Sequence, residues 1–118
     1  MLKLPPTGAE GYISGFLDGQ AVAYCEMVCR GVRLAGQLDV SADACVRLVA
    51  LIEREGCMAR VVGGESDRAA IWIYRDAAVE RLIDAITEIP MPADAAVWSM
   101  GKLFGYGDRD VLDYVAAR

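Results

Sequence analysis

Cysteine is the residue type in this chain with the most chemical scope, and there are four of them. Cys25 and Cys29 are four positions apart, so on a helix their thiols share a face and could be offered together to a metal or a redox partner. A closed zinc site needs four ligands, and with no histidine in the chain it would have to recruit Cys45 and Cys57 as well. Cys45 falls on the apolar stripe of a predicted helix and Cys57 opens a predicted strand, and free cysteine is among the most buried residue types. The spacing therefore predicts four reduced thiols serving as small core hydrophobes, with no metal and no cofactor. The absence of histidine also removes the commonest general base and the usual pH switch.

Other chemistry-bearing patterns lead to the same expectation. Asp108, Asp110 and Asp113 flank the start of the last predicted helix, where negative charge is favoured by the helix dipole. Gly101-Lys102 lacks the preceding glycine and the following Ser or Thr of a phosphate-binding loop, and Gly63-Gly64 reads as a hairpin tip. No nucleophile has a base and an orienting partner at a recognisable spacing, so the chain is expected to be non-catalytic.

The 118 residues carry 55% hydrophobic and 25% charged side chains, which suits a single compact domain over 1–118 and excludes a disordered tail. A net charge of −5 and a pI near 4.6 disfavour sequence-blind attraction to nucleic acid or anionic lipid. The opening MLKLPPTGAE has no apolar core of secretory length, and no apolar run approaches the ~20 residues that cross a bilayer. A cytoplasmic protein without membrane contact is expected.

These residues are positioned by a readable series of elements. Pro5 and Pro6 end a leader, and Thr7 with Glu10 fits a capping box that opens a helix over 8–30. Gly11, Gly15 and Gly19 lie along one side of that helix, each costing about 1 kcal/mol against alanine. Such a track admits close approach, either by another part of the chain or, as a self-association seam, by a second copy. Val32 to Leu38 is apolar at helical spacing, Asp39-Val40-Ser41 forms a turn, and Ser41 caps a helix over Ala42–Glu55. Cys45, Leu48, Val49 and Ile52 make its core stripe, and Gly56 ends it at positive φ. A hairpin over Cys57–Val62 and Ala69–Tyr74 follows, apolar on both faces and so covered by helices. Helices over Ala77–Glu88, Ala93–Phe104 and from Asp108 complete the chain. Phe104 and Tyr106, beside Gly105 and Gly107, are aromatic residues of the kind that anchor interfaces.

The segment 34–73 resembles the winged helix-turn-helix of the MarR family of bacterial transcription regulators. Leu34-Ala35 and Leu38 match the first helix of the pair, Val40-Ser41 the turn, and Arg47-Leu48-Val49 the recognition helix. Ile52-Glu53 and Gly56 stand where that family has a Leu-Glu pair and a helix-ending glycine, and Asp67-Arg68 matches the Asp-Arg pair of the wing. The resemblance implies a homodimer with the recognition helix in a major groove, and DNA contacts from Ser41, Arg47, Arg60 and Arg68. Charge opposes it, because Arg47, Arg54, Arg60 and Arg68 are matched nearby by Asp43, Glu53, Glu65 and Asp67. The expectation is an α+β fold, mainly helical: a winged-helix-like core over 34–74 with flanking helices over 8–30 and 77–117. Two functions remain open for it, a small regulatory protein that binds DNA as a dimer and an interaction or scaffold domain that binds protein. Gly11, Gly15, Gly19, Phe104 and Tyr106 are the candidate interface.

Overall fold

A computed structural model of the protein describes residues 8–63, 67–88, 90 and 92–117, with side-chain surroundings from residue 15 onward. The fold is α+β and mainly helical. Its elements run α1 (Gly8–Cys29), β1 (Ala35–Ser41), a 3-10 turn (Ala42–Ala44), α2 (Cys45–Arg54), β2 (Met58–Gly63), β3 (Arg68–Tyr74), α3 (Ala77–Glu88), α4 (Ala93–Leu103) and α5 (Asp108–Ala117). The proposed capping residue Thr7 and the leader prolines lie outside the described residues, as does Gly64 at the hairpin tip.

The strand β3 is apolar on both faces and forms the centre of a three-stranded antiparallel sheet of order β1-β3-β2. Because side chains alternate along a strand, Ile71 and Ile73 point to one side and Trp72 and Tyr74 to the other. Ile71 and Ile73 join Leu38 and Val40 of β1, Ala21, Cys25 and Val28 of α1, Leu48 and Ile52 of α2, and Cys57 in one buried cluster. On the opposite face Trp72 and Tyr74 pack with Ala35, with Val79 and Ile83 of α3 and with Leu103 of α4. Helices thus cover both sides of the sheet, as a ribbon apolar on both faces requires.

One predicted element is overturned. The segment Val32–Leu38, expected as the first helix of a helix-turn-helix, instead leads into β1, and Asp39-Val40-Ser41 is strand where a turn was expected. Two facts select the strand. Leu38 and Val40 are buried on either side of exposed Asp39, which is the period of a half-covered strand. All seven residues from Ala35 to Ser41 also pair with β3, from Ala35 opposite Tyr74 to Ser41 opposite Arg68, satisfying backbone groups that an open edge would leave unpaired. Gly36 permits this fit, since a Cβ there would lie 2.8 Å from Cγ of Tyr24 on α1. Among the described residues a single α-helix therefore separates β1 from β2, and no helix pair stands in the predicted place.

The remaining predicted elements appear close to their expected limits. Leu48 and Ile52 are fully buried on α2, and Gly56 follows that helix at φ 88°. Ser41 occupies the position before the 3-10 turn in extended conformation, yet its side chain makes no capping hydrogen bond, which corrects the expected cap. Asp76 does cap α3, accepting a hydrogen bond from the Ala78 backbone N–H at 2.8 Å.

Candidate functional site

The four residues expected to contact DNA do not assemble into one surface. Ser41 and Arg68 are neighbours, paired across the β1–β3 ladder. Arg68 donates from Nη2 to the Asp39 carbonyl oxygen at 3.1 Å and lies 3.2 Å from the Asp39 carboxylate. Arg47, on α2, forms an ion pair with Asp18 of α1. Arg60 lies opposite Trp72 on β2 and therefore projects towards α3, from the sheet face that Arg68 shares and that lies away from α2. Arg47 and Arg60 are consequently held on opposite layers of the fold.

Arg60 is the most heavily partnered of these cations. Its guanidinium stands 3.1 Å from Glu80, 2.7 Å from Asp84 and 3.4 Å from Glu88, three acids one helical turn apart along α3. The Asp84 contact is ionic without hydrogen-bond alignment: its buried Oδ1 has no hydrogen-bond partner among the described residues. One half-exposed arginine thus neutralises a row of three carboxylates that would otherwise repel one another. Arg60→Ala is expected to lower stability by about 1–3 kcal/mol, read as an earlier urea midpoint, with at most a small loss when Arg60→Lys keeps the charge. An unchanged midpoint would show that the cluster contributes nothing to the fold.

The expected interface residues divide between two places. Gly15 and Gly19 are exposed on α1, and a Cβ at either would meet nothing within 4 Å. Among the described residues, packing of this track against the rest of the chain, one of the two readings of the glycines, is therefore not made at Gly15 or Gly19. Gly11 lies on the same helix but outside the residues whose surroundings are described. Phe104 and Tyr106 border a half-open apolar groove between α4 and α5.

That groove has a volume of about 490 Å³, within the range of ligand and peptide-anchor pockets. Val97, Met100 and Phe104 of the α4 side face Val111 and Tyr114 of α5, with Tyr106 on the connecting turn. The two helices meet at Gly101, where a Cβ would come within 2.7 Å of Val111 Cγ2. Tyr106 and Tyr114 are 58% and 63% exposed, so much of the groove's aromatic surface remains open to water. The single carboxylate at its edge is Asp110, which among the described residues has no cation partner, whereas Asp108 pairs with Lys102 and Asp113 with Arg109.

No family model matches the chain, and no curated protein is significantly similar to it.

Of the groove's lining, the sequence singles out Phe104 and Tyr106 as candidate interface residues and does not single out Tyr114 or Asp110. A signal was present in the spacing, since Val97, Met100, Gly101 and Phe104 share one face of α4 and Asp110, Val111 and Tyr114 share one face of α5. The groove presents apolar and aromatic walls with one carboxylate, Asp110, at its rim. Among the described residues no group of three or more Cys, Asp or Glu side chains is placed to hold a metal ion, and no helix is long and apolar enough to cross a membrane.

Proposed function

We propose that the protein is a non-catalytic interaction domain that binds an amphipathic helical segment of a partner protein in the groove between α4 and α5. The supporting observation is the groove itself, an apolar cleft uncovered among the described residues, with Asp110 as the acid at its edge. The chemistry that complements it is a helix with aliphatic or aromatic side chains at i, i+3/i+4 and i+7, and a lysine or arginine placed to meet Asp110. Exposed Tyr106 and Tyr114 provide the large, rigid contact area characteristic of binding hot spots.

Selection from a random helical peptide library displayed against the full chain tests this reading. Enriched sequences are expected to be amphipathic and basic. They should lose at least about tenfold in affinity for Tyr106→Ala or Tyr114→Ala, in line with a typical hot-spot cost above 1.4 kcal/mol, and should weaken with Asp110→Lys. Enrichment of acidic peptides, or binding indifferent to all three substitutions, would contradict it.

A DNA-contacting regulator has less physical support, because Arg47, Arg60 and Arg68 are each engaged by a carboxylate of the chain and two of them lie on opposite layers. A cation already neutralised releases few counterions on binding, so the affinity for DNA should be low and only weakly salt-dependent. Binding to duplex fragments that falls steeply with salt, and that Arg47→Ala weakens, would restore the regulatory reading.

A second contact is favoured by the glycine side of α1, where self-association would give a homodimer. Gly15→Ala with Gly19→Ala is expected to stabilise the isolated helix by about 1–2 kcal/mol in total, since nothing obstructs the added methyls. The same pair should shift sedimentation equilibrium towards monomer if two copies pack through this track. A rise in the unfolding midpoint with unchanged association would remove α1 as the seam.

A further inference from the structure

We propose that Cys29 and Cys57 form a reversible oxidation site, closing to an intramolecular disulfide under a hydroperoxide. Their sulfurs are 3.7 Å apart across a sequence separation of 28 residues. Cys29 is the last residue of α1, exposed to solvent, and Cys57 is 5% exposed in the short connection between α2 and β2. The two thiols were brought together by the packing of α1 on the sheet and not by local sequence. Cys25, one helical turn before Cys29, lines the inner side of the site, its carbonyl oxygen 3.7 Å from the Cys57 sulfur.

The chemistry divides naturally between the two residues. Burial, reinforced by the hydrogen bond with Cys29, pushes the Cys57 thiol up to about 12, so it stays protonated near neutrality. Exposed Cys29 is the thiol that a hydroperoxide can reach. Its thiolate attacks the terminal peroxide oxygen, the O–O bond breaks, and an alcohol, or water from hydrogen peroxide, leaves as Cys29 becomes a sulfenic acid. Cys57 sulfur then attacks Cys29 sulfur, the S–O bond breaks, and water departs carrying the Cys57 proton. The peroxide is reduced by two electrons and the thiol pair is oxidised by two, with a sulfur–sulfur bond of about 2.05 Å replacing the 3.7 Å contact.

The bond would tie the end of α1 to the strand layer across a long loop. A cross-link of this span constrains the unfolded chain, and a rise in Tm of roughly 10 °C that disappears on reduction is expected. The test treats the reduced full chain with one equivalent of hydrogen peroxide and maps non-reduced peptides by mass spectrometry. The expected product is a monomer that has lost two hydrogens, with Cys29 linked to Cys57 and Cys45 still free. Cys29→Ser, a surface change expected to leave the far-ultraviolet circular dichroism intact, should abolish both the link and the thermal shift, whereas Cys25→Ala should retain them. Disulfide-linked dimers through Cys29, sulfinic acid at Cys29 without a cross-link, or a Cys25–Cys57 bond would each overturn the assignment.

Discussion

Trp72→Ala is expected to destabilise the protein by about 4 kcal/mol and to lower its Tm by roughly 12–20 °C. The side chain is 1% exposed at the centre of the sheet, and its ring stacks on Phe104 at a centroid distance of 5.7 Å and an interplanar angle of 24°. Removing it leaves a cavity between β3 and the helices α3 and α4 that fixed backbone cannot collapse into. Its indole Nε1 finds no hydrogen-bond acceptor among the described residues, so the contribution comes from packing and not from polar contact. Trp72→Phe should therefore cost much less, about 1–2 kcal/mol, because it loses volume without orphaning a partner. Urea unfolding of the two variants separates the outcomes. A cost below about 1 kcal/mol for Trp72→Ala would mean that the α3–α4 layer does not pack on the sheet.

Gly105→Ala is expected to cost about 3 kcal/mol for two independent reasons. The residue sits at φ 85°, where a β-carbon is strained, and that carbon would also lie 2.8 Å from the Val32 carbonyl oxygen and 3.1 Å from Arg33 Cβ. Gly105 closes α4, donating its N–H to the Lys102 carbonyl at 3.1 Å, and two residues before it the Leu103 carbonyl accepts from the Leu34 N–H at 3.0 Å. The same junction holds the Arg33 guanidinium between Tyr24 at 4.7 Å and Phe104 at 5.0 Å, joining α1 to α4. Displacing backbone here should disturb both the sheet and the groove. Gly107→Ala is the control: its φ is ordinary and its nearest neighbour would be Asp110 Oδ2 at 3.8 Å, so a change within about 0.5 kcal/mol is expected. Equal effects at the two glycines in thermal melts would contradict this explanation.

Much of the fold was legible in the sequence wherever the deciding information is local. The stripe containing Leu48 and Ile52, the glycine stop at Gly56, the alternation of Ile71, Trp72, Ile73 and Tyr74, and the Asp76 cap all depend on residues a few positions apart. The strand β1 was misread because Leu34 to Val40 fits a helical and an alternating pattern almost equally. What decides is pairing with β3, some thirty residues later, and the room that Gly36 leaves for Tyr24. Tertiary context overrode a weak local period.

The candidate site was partly legible for a similar reason. Phe104 and Tyr106 announced themselves as aromatics beside glycines, but their union with Asp110 and Tyr114 requires α5 to fold back onto α4 through the Gly101–Val111 contact. The arginines show the converse. Counting charges close in sequence named Asp43, Glu53, Glu65 and Asp67, yet the acids that hold Arg47, Arg60 and Arg68 are Asp18, Asp39 and the Glu80, Asp84 and Glu88 row, none of which was in that count. Nor could sequence spacing reveal the approach of Cys29 to Cys57, since α1 meets the α2–β2 connection only in the folded chain.

The proposal that the α4–α5 groove is the working surface is tested most directly by mapping backbone amide shifts in the isotopically labelled full chain while titrating a selected basic amphipathic peptide. Saturable shifts are expected to concentrate at Val97, Met100, Gly101, Phe104, Tyr106, Asp110 and Tyr114, with Ser41, Arg47 and Arg68 unmoved. Shifts concentrated on α2 and the β1–β3 end, with the groove unaffected, would contradict it.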